Sequence, residues 1–167
     1  GIHEASAVRT VLLLRTGERP TPPAAWDRAA GETCCPAGSA AKTGPRCAFL
    51  GLCEEGLVAG VPKGTYTTSI LSKQYALDAV VYLREAEEKR RAKEERRTPA
   101  AEEQALRRRE RPGAETATPP AGPSPPPSPG HRYVPEPMVL WRHINGRISH
   151  SGQMDVVTAL WKEGYIE

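Results

Sequence analysis

An all-α protein is expected, made of two pseudo-symmetric three-helix repeats packed together, with a charged helical extension and a Pro-rich linker inserted in the second repeat. Three observations predict it. Apolar residues recur at helical spacing in several short stretches. Three blocks of the first half reappear, in the same order, in the second. Between Glu85 and Gly130 the pattern is interrupted by 46 residues with no apolar stripe.

The first helix of each repeat is read from "AVRTVLLLR" at 7–15 and "ALDAVVYLR" at 76–84, which share Ala7/Ala76, Val11/Val80, Leu14/Leu83 and Arg15/Arg84. Val8, Val11, Leu12 and Leu14, or Leu77, Val80, Val81 and Leu83, supply one buried face. The second helix is read from "PPAAWDRAAG" at 22–31 and "PMVLWRHING" at 137–146. Each opens near a proline, buries Trp26 or Trp141, and is stopped by Gly31 or Gly146. The third comes from "KTGPRCAFLGLCEEGLV" at 42–58 and "HSGQMDVVTALWKEGYI" at 150–166, with Thr43 or Ser151 as N-cap. Gly56 or Gly164 is placed at C′ in the left-handed region, so that Leu57 or Tyr165 at C″ meets Leu52 or Leu160 at C3 in a Schellman ending.

The offsets between blocks are 69, 115 and 108, so the second copy gains 46 residues after its first helix and loses seven before its third. Neither copy has enough apolar surface to stand alone, and the two are expected to pack face to face. The organisation is then 1–58 as the first repeat, 59–74 as a connecting loop, and 75–84 with 131–167 as the second repeat. Gly60, Pro62 and Gly64 mark the loop, which leads to Ser72 as N-cap of the fourth helix. Residues 85–111 read as a charged, solvent-exposed helix in which Glu85 with Lys89 and Glu87 with Arg91 stand four apart in the favourable order. Thr98-Pro99 predicts a break and a fresh start within it. Residues 112–130 hold eight prolines and read as a linker.

Composition excludes several classes. Among 167 residues, 38% are hydrophobic, 5% are aromatic and 17 are proline, so part of the length cannot be core. Apolar runs such as "VLLL" at 11–14 lie far below the roughly 18 residues of a bilayer span. No membrane association is expected. The amino end shows no signal segment, and Gly1 in place of Met reads as a processed, truncated or recombinant start, so a cytoplasmic location is expected. Net charge is +3, and the stretch from Arg84 to Arg111 carries eleven Lys/Arg against eight Glu, which accounts for all of it. The compact part is charge-balanced.

The segments "PRCAFLGLCEEGLVAGVPKGTYTTSILSKQYALDAVVYL" and "HSGQMDVVTALWKEGYI" resemble a family of small bacterial proteins of unknown function. In that family a Pro-Arg-x-Ala-Phe-Leu-Gly-Leu-Cys-Glu-Glu-Gly-Leu-Val segment precedes a Gly-x-Tyr-Thr stretch, and a His-Asn-Ser-Gln-Met-Asp-Val-Val segment closes the chain. The resemblance covers most of 4–84 and 137–167 and leaves out 85–130. Ser151-Gly152 stands where the family pattern runs Asn-Ser. The resemblance implies a compact helical protein and no activity.

Motifs for specific chemistry are sparse. Cys34, Cys35, Cys47 and Cys53 contain no Cys-x-x-Cys pair, so no zinc site is expected, and Cys47 and Cys53 read as small buried residues. His3, His131, His143 and His150 give no His-x-x-x-His spacing, and no phosphate-loop, dinucleotide or nucleophile-elbow motif occurs. No metal, cofactor or catalytic residue is assigned. The polar positions of interest are Lys42, Thr43 and Arg46 at the start of one third helix, with His150, Ser151, Gln153 and Asp155 at the start of the other. Helix N-termini with such donors suit anions, whereas ordinary capping needs only Thr43 and Ser151. Pro45 removes a donor and Asp155 adds negative charge, which favours capping. Lys63, Tyr66 and Lys73 extend the candidate ligand- or anion-binding set from the connecting loop.

The reading is therefore a non-catalytic helical module that binds another protein. The first alternative is a nucleic-acid-associated accessory protein with helix-turn-helix-like repeats, using Arg46, Lys63, Lys73 and the arginines at 107–111. The second is a small enzyme with a site between the repeats around Arg46, Tyr66, His150, Gln153 and Asp155.

Overall fold

The computed structural model describes residues 1–16, 20–33, 43–109, 132–145 and 152–166. They form six helices: α1 (Ile2–Leu14), α2 (Pro22–Glu32), α3 (Thr43–Glu54), α4 (Ile70–Arg109), α5 (Pro137–Asn145) and α6 (Gln153–Lys162). The protein is all-α. Among the described residues there is no strand, only a single antiparallel bridge between Val58 and Ile166. No described helix is long and apolar enough to cross a membrane.

The chain divides into two compact units, Gly1–Arg84 with Val134–Glu167, and Glu85–Tyr133. In the first unit α1 packs on α2 and α6, and α3 packs on α6. Its core gathers Trp26, Phe49, Leu50, Leu52, Leu83, Leu140, Met154 and Leu160, all essentially without solvent contact. Burying each such side chain contributes about 1.5–3 kcal/mol, so these helices hold one another rather than standing on propensity.

In α1 the buried face is Ser6, Ala7, Thr10, Val11 and Leu13, and Leu12 is 44% exposed, which corrects the expected Val8–Val11–Leu12–Leu14 face. Ser6 and Thr10 can be buried because their hydroxyls donate to the carbonyls of Ile2 and Ser6 at 3.0 and 2.6 Å. The same displacement occurs in α4, where Ala76, Ala79, Val80 and Leu83 are buried and Val81 is 54% exposed. Leu12 and Val81 are counterparts in the internal alignment. The aromatic neighbours of the two counterpart tryptophans differ, however: Trp26 meets Phe49 of α3, while Trp141 meets Tyr75 of α4.

Both third helices end as the glycine spacing predicts. Gly56 and Gly164 have φ of 69° and 74°. The Leu57 N–H donates to Leu52 O at 3.0 Å and the Gly56 N–H to Cys53 O at 3.0 Å; Tyr165 to Leu160 and Gly164 to Trp161 repeat this at 2.8 and 3.1 Å. The endings lead into the Val58–Ile166 bridge, where Ala59 N–H donates to Tyr165 O at 2.8 Å. A Cβ on Gly164 would meet nothing within 4 Å, so Gly164→Ala isolates backbone strain. It is expected to cost about 1 kcal/mol in urea-unfolding free energy, and an unchanged midpoint would refute the assigned ending.

Helix starts and stops depart from expectation in several places. First, α2 runs past Gly31 to Glu32, because the Thr33 hydroxyl donates to Ala29 O at 3.0 Å and Ala30 O at 3.3 Å and ends the helix without a left-handed glycine. Second, α4 starts after Ser69, not at Ser72: Ser69 Oγ accepts from the Ser72 N–H at 3.4 Å, and Ser72 is itself buried against Gln153 of α6. Third, Gly152 with φ 84° is the N-cap of α6 in place of Ser151; the left-handed backbone and the His3 ring against its α-carbon both require glycine there. Thr43 likewise lies inside α3 as its first residue. Fourth, α4 continues through Pro99, where the strong helix formers on both sides offset the hydrogen bond that proline forfeits. Gly146, Ser151 and the linker 112–130 lie outside the described residues.

Within the second unit, Glu87 is buried and accepts from Arg90 at 2.8 Å, Arg91 at 3.4 Å and the Tyr133 N–H at 3.0 Å. The Arg90 bond chiefly, helped by Tyr133 and Arg91 and opposed by burial, holds its carboxyl down at about 2. Lys89 pairs with Glu85 at 3.8 Å.

Candidate functional site

The end of α3 carries a polar cluster that joins three parts of the chain. Gly51 sits in the middle of α3, where a Cβ would stand 2.8 Å from Lys73 Cβ and 2.9 Å from Lys73 Cα. Only glycine lets α4 come this close. Lys73 then lies along α3 and reaches its last turn, where Nζ meets Glu54 Oε2 at 2.9 Å and Glu55 Oε1 at 2.6 Å. The other oxygen of Glu54 accepts the backbone N–H groups of Tyr66 and Thr67 at 2.5 and 2.8 Å. One carboxylate therefore ties the connecting loop, α3 and α4 together.

Burial alone would raise the Glu54 carboxyl, but the Thr67 N–H, the Lys73 ammonium and the Tyr66 N–H outweigh it and lower the pKa. Lys73 is raised by Glu55 and then Glu54. Around these groups lies a cleft of about 360 Å³, lined by Glu54, Glu55, Thr65, Thr67, Ile70, Lys73 and Gln74. Ile70 on its rim is 82% exposed and its neighbour Leu71 is 67% exposed. Two carboxylates face one ammonium there, so the cleft favours a cation over an anion.

Three of the candidate residues from the sequence gather here. Lys73 and Tyr66 bond to Glu54, and Lys63 lays its stem over Gly56, where a Cβ would stand 2.7 Å from Lys63 Cε. The others are placed separately. Arg46 makes a two-toothed pair with Asp27 of α2 at 2.9 and 3.2 Å. Gln153 is buried and donates to Ser72 at 3.4 Å, while Asp155 is half-buried on the first turn of α6. Lys42, His150 and Ser151 lie outside the described residues, as does the side chain of Thr43.

Other chemistry is limited. Among the described residues no group of three or more His, Cys, Asp or Glu could hold a metal ion. Cys47 and Cys53 are buried free thiols, and desolvation pushes the Cys53 thiol far up, away from the reactive thiolate. In α6 every residue but Asp155 and Lys162 is buried, and 47–53 of α3 is buried throughout. Neither third helix has a polar face to lay in a DNA groove.

Sequence reasoning missed Glu54 and Gly51, and each left a signal. A carboxylate in the last turn of a helix opposes the macrodipole, so Glu54 required a compensating partner. A glycine inside a helix costs about 1 kcal/mol against alanine, so Gly51 required a close neighbour.

The chain belongs to a family of unknown function, DUF6979, whose model matches residues 2–109. The match takes in 85–109, which the sequence reading left outside the resemblance, and it stops short of 137–167, which that reading included. No curated protein and no solved structure matches the chain.

Proposed function

We propose that the protein is a non-catalytic helical binding module, and that its partner is a protein segment presenting an apolar side chain next to a basic one. The observation that carries this reading is Ile70, exposed on the first turn of α4 at the lip of a cleft with two carboxylates and one ammonium, with Leu71 exposed next to it in the chain. Val81, 54% exposed, continues the face of Ile70 eleven residues on, with Leu77 between them half-buried against the core. Exposed apolar surface of this kind marks an interaction site. The polar residues nearby are already engaged in holding the loop, which supports binding over catalysis. Buried, unpaired thiols at Cys47 and Cys53 fit a reducing, cytoplasmic setting.

Selection of random displayed peptides against the full chain tests the reading. Enriched peptides are expected to pair a large apolar residue with Lys or Arg, and to lose at least tenfold in affinity to Ile70→Asp and to Glu55→Arg. Both positions are exposed, so the fold should survive each change. Enrichment of acidic peptides, or binding that both variants retain, would sink the proposal.

A further inference from the structure

A second cleft, of about 530 Å³, opens between the end of α1, the start of α2 and the connecting loop. Its walls are mainly apolar: Leu14, Pro20, Pro22, Val61, Pro62 and Tyr66. Volumes of about 300–1,000 Å³ with apolar walls and a few placed polar groups are those of small-molecule sites. The Tyr66 hydroxyl donates to Pro62 O at 3.0 Å, which fixes its ring in the lining.

Two polar groups stand in this lining with capacity to spare. Arg15 is held by stacking over the Tyr165 ring, 4.8 Å from the centroid, and by one bond from Nη2 to Ala59 O at 3.3 Å. Among the described residues it has no carboxylate partner, unlike Arg9, Arg46 and Arg90, each of which has one. A guanidinium placed by an aromatic face and a carbonyl, with its remaining N–H donors unspent, is suited to receive a carboxylate. Thr21, at the N-cap of α2, makes no capping bond with its hydroxyl, and prolines fill the next two positions. Among the described residues the Thr21 hydroxyl has no partner, so a donor stands in the same cleft as the cation.

We infer that this cleft binds a small organic acid, an apolar or aromatic body of about ten heavy atoms ending in a carboxylate, with Arg15 and Thr21 on the carboxylate and Tyr66, Val61 and Leu14 on the body. This goes beyond the binding-module reading and is independent of it, since the two clefts share none of the groups that either test alters.

Titration of the full chain with 3-phenylpropionate, followed by backbone amide shifts, tests the inference. Saturable binding is expected, with shifts at Thr16, Thr21 and 60–66. The neutral 3-phenylpropanamide is expected to bind at least tenfold more weakly, and Arg15→Gln to erase that difference. Pro62→Phe, at an exposed position whose carbonyl still accepts from Tyr66, is expected to abolish binding by filling the cleft, which keeps the test decisive should Arg15→Gln fail to fold. Equal affinity for acid and amide, acid preference that survives Arg15→Gln, unchanged binding to Pro62→Phe, shifts confined to other regions, or no saturation by either probe would each overturn the inference. So would tighter binding of an acetylated tripeptide ending in a free phenylalanine carboxylate, because the ligand would then be a protein C-terminus.

Discussion

Replacing Glu54 by Ala is expected to lower the unfolding free energy by about 3 kcal/mol, one of the two largest effects expected here. The side chain is only 8% exposed and accepts from three donors at once: the N–H groups of Tyr66 and Thr67 and the ammonium of Lys73 on α4. Removing it strands two backbone donors and leaves Lys73 with Glu55 alone. Glu55→Ala, by contrast, is expected to cost well under about 1 kcal/mol, because Glu55 is 45% exposed and only Lys73 depends on it. Amide exchange should locate the damage: protection at Tyr66 and Thr67 is expected to fall in Glu54→Ala before global unfolding, and to hold in Glu55→Ala. If the two variants prove equally stable, the latch is not what holds the loop.

The pH dependence has a definite sign. The folded pKa of Glu54 lies below its unfolded value near 4.5, so its contribution is complete above that value and is lost as pH falls through the lowered folded pKa. The gap in stability between wild type and Glu54→Gln is therefore expected to be widest near neutrality and to close in acid.

The parts of this structure that sequence made legible are those governed by local chemistry. A glycine after a helical run, with a leucine four residues before it and an apolar residue following, specifies a Schellman ending, and Gly56 and Gly164 have it. Trp26 and Trp141 are buried because no other placement of an indole on a short amphipathic helix is as favourable. Sequence was less informative where two residues of one type compete for a role. Ser69 and Ser72 both suit a cap, and only the packing of Ser72 against α6 decides between them. The face of α1 departs from the apolar periodicity for a related reason: Ser6 and Thr10 look polar, yet their hydroxyls bond back within the helix and can be buried, which turns Leu12 outward. The latch at Glu54 depends on groups 12 to 19 residues away, and no periodicity reports such a contact.

The other large effect lies at the leucines of the two third helices, and it bears on the duplication expected from sequence. Leu52 and Leu160 occupy the same position in the two endings, each accepting the bond from C″, and both are 0% exposed in the same core. Truncating either to Ala is expected to cost about 3 kcal/mol, the transfer of the lost methyl groups plus the cavity they leave. If α3 and α6 descend from one ancestral helix and still face each other about a twofold axis, the two costs should agree to within about 0.5 kcal/mol, since their surroundings would be alike. The bridge argues for such an axis: Val58 pairs with Ile166, its own counterpart at the offset of 108, as residues near a twofold must. The unlike neighbours of Trp26 and Trp141 argue that any symmetry fades away from the bridge. Urea unfolding of Leu52→Ala and Leu160→Ala, with a common m-value, would weigh the two. Costs differing by more than about 2 kcal/mol would mean that the matched endings share only their capping chemistry, and the twofold would have to be given up.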